Sequence, residues 1–200
     1  MSTSAPIPVR ERRRHQTRSE ILEAAWRLAE RDGIAGLSMR DLAGEVGMRA
    51  PSLYTYFDSK AAIYDAMFAQ GYRELDAMEG DLELDADDLV GTLAASIEGF
   101  VDFCGASVAR FQLMFTRAVP GWEPSPEAYA VSVASSERSV EELARLGIEQ
   151  PRHFDLMTAL FSGLASQQLA NDPGGDRWRR LSREAAQMYV AHVKHEGRKP

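Results

Sequence analysis

Apolar residues return every three or four positions along most of the chain, and nowhere do they alternate convincingly with polar ones, so the pattern predicts helices and no strands. Ile21, Leu22, Ala25, Leu28 and Ala29 form the first stripe, which Gly33 ends, with Thr17 and Glu20 as a capping-box pattern at its start. Met39, Leu42, Ala43 and Val46 form a second, shorter set between Ser38 and Gly47. Ser38 and Asp41 can satisfy the orphan N–H groups of its first turn, and a glycine accepts the left-handed conformation in which helices often end. Ala50-Pro51 opens a third element, since proline in a first turn forfeits no helical hydrogen bond, and Leu53 and Phe57 give it an apolar side. The connection from Gly47 to Arg49 is the short Gly-containing turn of two helices that cross steeply.

Beyond Ser59 a longer stripe runs through Ile63, Met67 and Tyr72 towards Met78, with Gly80-Asp81 closing it. Asp85 to Asp88 suit a helix N-terminus, and Leu89, Leu93, Ile97, Phe100 and Cys104 follow on one face until Gly105. A short helix from Ser107 carries Phe111, Met114 and Phe115, and the proline-rich run from Pro120 to Pro126 is a loop. Helices are then predicted from about Pro126 to Leu146, from near Pro151 to Ala170, and from Asp176 onward, the last with Trp178, Leu181, Ala185, Met188, Tyr189 and Val193 on one face. The fold class is all-α.

The stretch from Ser38 to Phe57 has the layout of a helix-turn-helix. Together with the helix before it, it resembles the DNA-binding domain of the TetR family of bacterial transcriptional regulators. The resemblance rests on Thr17-Arg18 leading into Ile21-Leu22 and Ala25, on Gly33-Ile34 and Gly36, and on the run from Leu37 to Ala43. Val46-Gly47, Leu53-Tyr54, Tyr56-Phe57 and Ser59-Lys60 complete it. Arg49 stands where a small hydroxyl residue often caps the recognition helix in that family, so a cap is exchanged for a cation. The resemblance implies an N-terminal three-helix DNA-binding domain joined to a larger helical ligand-binding and dimerisation domain. The expected division is a basic flexible leader at 1–16, the helix-turn-helix domain at 17–60, and an effector-binding and dimerisation domain at 61–200.

In a helix-turn-helix the second helix enters the major groove with its first residues at base edges. Arg49, Ala50, Ser52, Leu53 and Tyr54 are placed for that turn, and Arg49 suits either a guanine edge or a phosphate. The resemblance implies phosphate contacts from the hydroxyls of Tyr54 and Tyr56. Lys60 and the helix start beside it offer another phosphate site, and Ser38, Met39 and Arg40 a further one. Arg14, in the arginine-rich stretch of Arg10, Arg12, Arg13, Arg14 and Arg18, and Thr17 complete the expected DNA-binding set.

The family resemblance also implies an effector pocket among the middle helices, for which Phe100, Phe103, Cys104, Phe111, Met114, Phe115, Trp122, Tyr129, Met157 and Phe161 supply large or pliable apolar groups. Such a lining favours a small hydrophobic or aromatic effector. The helix from Pro151 is apolar over more than one face and needs cover on two sides. Pairing it and the last helix with their copies gives the four-helix bundle that the resemblance implies, with Leu160, Gly163, Leu164, Leu181, Ala185 and Tyr189 at a homodimer interface.

Charge sharpens this division. The chain has 200 residues, 44% of them hydrophobic, and a net charge of −7, which argues against nonspecific coating of nucleic acid. Residues 1–60 hold ten Lys and Arg against eight Asp and Glu, whereas residues 61–200 hold thirteen against twenty-two, so a slightly basic head sits on an acidic body. Cys104 is the only cysteine, no apolar run approaches the ~18 residues of a membrane span, and the N-terminal arginines lack a following apolar stretch. A cytoplasmic protein without membrane association is expected. Catalysis has little support: there is no Gly-rich phosphate loop or GxSxG, Cys104 lacks an activating base, and His192 and His195 share a face with no third metal ligand near them in sequence. No catalytic residue, metal or cofactor is expected.

The resulting expectation is a homodimeric regulator, acting as a repressor on double-stranded DNA with a near-palindromic operator and released by a small hydrophobic effector. Two alternatives stand beside it: the same DNA-binding head on a protein-interaction body without a small ligand, and a helical enzyme or carrier.

Overall fold

The computed structural model describes residues 8–196, which form α1 (Val9–Asp32), α2 (Met39–Glu45), α3 (Ala50–Leu53), α4 (Lys60–Gly80), α5 (Leu89–Gly105), α6 (Val108–Phe115), α7 (Pro126–Arg145), α8 (Pro151–Asn171) and α9 (Ser182–Glu196). Among the described residues there is no strand. Two single turns of 3-10 helix, Ile34–Gly36 and Arg179–Leu181, lead into α2 and α9.

Most boundaries fall where side chains satisfy the first N–H groups of a helix. Ser38 Oγ accepts from Asp41 N at 3.1 Å, Ser59 Oγ from Ala62 N at 3.1 Å, Asp88 Oδ1 from Gly91 N at 2.9 Å, Ser107 Oγ from Arg110 N at 3.0 Å, and Ser125 Oγ from Ala128 N at 3.2 Å. Gly47 has φ +66°, the left-handed conformation that the α2–α3 turn demands.

Two boundaries depart from expectation. The first helix begins at Val9, so Thr17 and Glu20 lie inside it and cap nothing, and residues 9–16 of the expected flexible leader are its opening turns. Arg, Glu and Gln are good helix formers, and extending a nucleated helix costs little. Gln16 Nε2 adds a bond to Glu20 Oε1 at 3.1 Å one turn on. Residues 1–7 of that leader lie outside the described residues. At the other end, the helix expected from Asp176 starts only at Ser182. Gln168, buried on α8, explains the delay: its Oε1 accepts from Trp178 N at 2.9 Å and Arg179 N at 3.2 Å, holding that segment as a separate turn.

Two apolar clusters hold the molecule together. The first joins Ile21, Ala25 and Leu28 of α1, Leu42 of α2, Leu53 of α3 and Phe57 to Ile63, Tyr64, Met67 and Phe68 of α4, and it continues into Ala109 and Leu113 of α6. The second gathers Leu93, Ile97, Phe100 and Cys104 of α5 with Phe161 and Ala165 of α8 and Ala185, Ala186, Tyr189 and Val190 of α9. The packing therefore does not divide at residue 60, because the first half of α4 and one face of α6, Ala109 and Leu113, are shared with the head. Polar contacts follow the same seam: Glu30 accepts from Ser107 Oγ and from Ala109 N (3.3 Å), and Asp65 Oδ1 from Trp122 Nε1 (3.2 Å) and Ser125 N (3.1 Å). Trp26 lies over α4, its indole N–H donating to Gln70 Oε1 at 3.3 Å.

Candidate nucleic-acid interface and effector cavity

The exposed surface of the head is built by α2, the turn after it, and α3. Arg40, Arg49 and Ser52 are exposed there, and Tyr54 is 48% exposed although it is large and aromatic. Arg49 occupies the N-cap of α3 without a capping side-chain bond, so its guanidinium is available to a ligand. Leu53 is fully buried and Met39 and Ala50 pack against the head core. Leu53 is thus removed from the expected DNA-contacting set: an α3 of one turn must spend its apolar residue on anchoring itself. Ser38 is engaged with Asp41 in both directions, since its hydroxyl also donates to Asp41 Oδ2 at 2.5 Å.

The N-terminal turns of α1 lie against the end of α3. Arg14 sits 5.7 Å from the Tyr56 ring centroid, while Arg18 lies 4.0 Å over the Phe57 ring and donates to the Tyr56 carbonyl. Burial, with the like charge of Arg14 as a second cause, lowers the Arg18 pKa. Arg14 is exposed, Thr17 and Tyr56 are half-buried, and Arg18 locks α1 to α3 in a role that the spacing of arginines did not disclose. Lys60 is tied back to the head: its Nζ donates to the Ala35 carbonyl at 3.3 Å and lies 5.3 Å over the Tyr64 ring.

An open cavity of about 520 Å³ lies between α4, α6, the following loop and α7, lined by Phe68, Tyr72, Met114, Phe115, Trp122 and Tyr129 among others. A second cavity of about 160 Å³ adjoins it across Tyr72 and Phe115 and continues between α4, α5, α7 and α8, with Phe100, Phe154, Met157 and Phe161 on its walls. The rings pack edge and tilt, Phe100 against Phe115 at 5.3 Å and Phe161 at 5.9 Å, and Tyr72 against Phe115 at 6.0 Å.

Seven of the ten expected effector residues line these spaces. Phe103, Cys104 and Phe111 line neither: Phe103 stacks under the Arg110 guanidinium at 4.8 Å, Cys104 is wholly buried in the α5 core with its thiol pushed up to about 12 by burial, and Phe111 packs on the back of Phe115 at 5.8 Å. An apolar stripe shows which residues leave water but not which of them border a void. Sequence reasoning missed the polar lining. Ser132, Ser135, Ser136 and Ser139 recur at helical spacing on α7 and face these cavities, and Tyr72 and Glu79 meet them from α4. Burial pushes the Tyr72 hydroxyl up to about 12.

The expected dimer surface is corrected in part. Ala185 and Tyr189 are buried within the protomer, where Tyr189 donates to the His153 carbonyl at 2.9 Å, because α9 turns that face onto α5. Gly163 is exposed and Leu160, Leu164 and Leu181 are partly so, while Leu156 and Met188, at 48% and 66%, are exposed apolar residues on the same two helices. The histidines at the C-terminus also differ from expectation: His192 is joined by His153 and Glu196, whose ligand atoms lie within 4.8 Å of one another. Glu196 Oε2 receives Arg152 at 2.6 Å and His153 Nε2 at 3.1 Å, so its carboxylate clasps the start of α8 to the end of α9. These contacts, the His153 bond foremost, lower the Glu196 pKa. Among the described residues no single helix is long and apolar enough to cross a membrane.

Residues 21–67 match the model for bacterial regulatory proteins of the tetR family. The HTH-type transcriptional regulator Rv1816 of Mycobacterium tuberculosis is 28% identical over 123 residues, 58% of this chain and 51% of that protein; the chain spans about half the length of the curated relatives it matches. Among solved structures, the TetR family transcriptional regulator PfmR of Thermus thermophilus is similar with a TM-score of 0.64 at 22% identity, covering 86% of this chain and 95% of that one. The transcriptional regulator FadR of Bacillus subtilis, in complex with stearoyl-CoA, is similar with a TM-score of 0.64 at 15% identity, covering 86% of this chain and 97% of that one. The fold is shared with these structures over 86% of this chain. With its head folded as its sequence anchors require, and residues 21–67 matched by the family model, the head is a DNA-binding domain of the kind found in bacterial regulatory proteins of the tetR family.

Proposed function

We propose that this chain is a ligand-responsive DNA-binding repressor that acts as a homodimer on a near-palindromic operator. Arg49, Ser52 and Tyr54 would meet base edges and nearby phosphates in the major groove, with Arg14, Arg40 and Tyr56 on the flanking backbone. Two such heads require half-sites about one helical turn or slightly more apart. Leu156, Leu160 and Gly163 on α8, with Leu181 in the turn before α9 and Met188 on α9, form the apolar surface that a second copy would cover.

The single observation that carries the regulatory part is where the cavity lies. Its walls include Phe68 and Leu113, which belong to the head cluster, and Tyr72, Met114 and Phe115, which pack on the body. Filling that space acts on α4, whose first residue follows the recognition helix by two turns of chain. An effector that fits better at one α4 position shifts the population to it, and DNA reciprocally weakens effector binding. The complex of FadR with stearoyl-CoA, an amphipathic molecule with an apolar acyl chain, supports a body that accepts a ligand with an apolar part.

Selecting bound fragments from random duplex DNA tests the proposal and yields the operator. Operator affinity is expected to fall at least about a hundredfold in an Arg49→Ala, Tyr54→Ala double variant of unchanged fold, from about 1–3 kcal/mol per lost contact. Sedimentation should show a dimer, and a cavity-filling ligand should weaken operator binding. A monomer without preference among duplexes, or a bound ligand that leaves operator affinity unchanged within error, overturns it.

A further inference from the structure

Glu79 reaches the inner cavity from α4, lining it together with Ser135, Ser139 and Phe161, and it also borders a small space beneath Leu82 and Leu93. Its carboxylate receives only a long bond from Ser139 Oγ, 3.4 Å. No cation pairs with it among the described residues. Arg138, the nearest candidate, is committed to Asp76 at 2.7 Å, and Ser135 Oγ donates to the other oxygen of Asp76 at 2.6 Å. Asp76 is therefore satisfied while Glu79, one turn along the same helix, is left open.

The remaining charged neighbours add to the negative field. Glu142 on α7 and Asp76 on α4 both oppose ionisation of Glu79, and Arg138 offsets them only weakly. The groups that α5 and α8 present to these spaces are uncharged: Ser96 and Phe100 from the first, and Met157, Thr158 and Ser162 from the second. Burial is the largest cause, and together with the carboxylate neighbours it pushes Glu79 up to about 7. A half-buried carboxylate without a cationic partner is costly, whereas the same group beside aromatic faces is the surrounding that a desolvated organic cation selects.

We infer that the effector of this protein carries a positive charge, an amine or quaternary ammonium attached to an apolar or aromatic body, with the charged end held by Glu79 and the Phe100, Phe115 and Phe161 rings and the apolar end in the larger space beside Trp122. This rests on the effector-binding reading above and narrows it to one chemical class. Binding such a cation draws the Glu79 proton off, so affinity increases with pH up to and through about 7.

The test uses two molecules of the same shape, benzyltrimethylammonium and neopentylbenzene, which differ by a nitrogen cation in place of carbon. Binding to the full-length protein is followed through tryptophan fluorescence, since Trp122 lines the adjoining cavity. At pH 8 the ammonium is expected to bind at least about tenfold more tightly than the hydrocarbon, as a desolvated cation–π and ion-pair site requires. At pH 5.5 that preference should largely vanish. Glu79→Gln should remove the preference at both pH values while leaving hydrocarbon binding unchanged. Titrations of the wild-type protein with the ammonium at pH 7, in two buffers of different ionisation enthalpy, should also register proton release, a readout that needs no variant. Equal binding of both molecules, or ammonium binding insensitive to pH and to Glu79→Gln, overturns the cation assignment and leaves the cavity as an apolar effector site. Failure of both molecules to bind overturns the cation assignment and the effector-binding reading together.

Discussion

The head and the body use the same element, the helix, in opposite ways. In the head, Ile21, Leu42, Leu53 and Ile63 are wholly withdrawn from water, and Ser38 and Ser59 pin the starts of α2 and α4. In the body, α4 and α7 face each other across cavities, and α7 presents Ser132, Ser135, Ser136 and Ser139 where the head would present leucine. A close-packed unit holds a fixed surface for a repetitive partner, whereas an incompletely packed one retains space and polar groups for a ligand. The two are joined through α4 and α6, so the loosely filled part can act on the rigid part.

That contrast can be broken at five places. Leu53→Ala should cost the most, about 3 kcal/mol of stability, because the one-turn α3 has no other fully buried anchor, and chemical denaturation would measure it. Phe115→Ala, which empties onto an existing space, should cost clearly less; equal losses would show that the body is packed as tightly as the head.

Glu79→Gln should have the opposite sign. The folded protein holds the Glu79 proton up to about pH 7 while the unfolded chain releases it near the ordinary 4.5. Its contribution is therefore most favourable below about pH 4.5 and is lost as pH rises through about 7. The amide should stabilise the protein at pH 8 by about 3 kcal/mol relative to wild type, from about 1.4 kcal/mol per pKa unit, and by nothing at pH 4. Denaturant midpoints of the two proteins at both pH values would decide it, and a difference independent of pH would remove Glu79 from the interior.

Smaller effects return to the head. Gly47→Ala should cost about 1 kcal/mol, since any side chain at φ +66° is strained although nothing crowds the position. Ser38→Ala should cost about 1 kcal/mol through loss of the α2 cap, and Ser38→Asp should recover most of it. If thermal melting showed the α2 cap to be silent, local signals would matter less to the head than its core does.

The head was legible because its information is local. Capping hydroxyls, Gly47 and Pro51 act on backbone groups within four residues, and the apolar spacing of α2 and α3 permits one way of burying them. The same local rules failed where a remote partner intervened. Thr17 resembles a cap but sits within a helix that good helix formers extend to Val9, and Leu53 stands in sequence among the residues proposed to read bases although the core claims it. Lys60 and Arg18 look alike as free cations in sequence, yet both are bound to carbonyls and rings across the head.

Sequence by itself determined the helical class, the basic head on an acidic body, and the tetR-type character of that head, since periodicity, charge and closely spaced anchors are properties of the chain alone. Which aromatic residues border a void rather than fill one, which face of α9 turns inward, and which acid is left without a cation were decided by tertiary packing. Each depends on distances between residues far apart in sequence: Arg138 lies 62 positions from the Asp76 it neutralises, and that choice leaves Glu79 uncompensated.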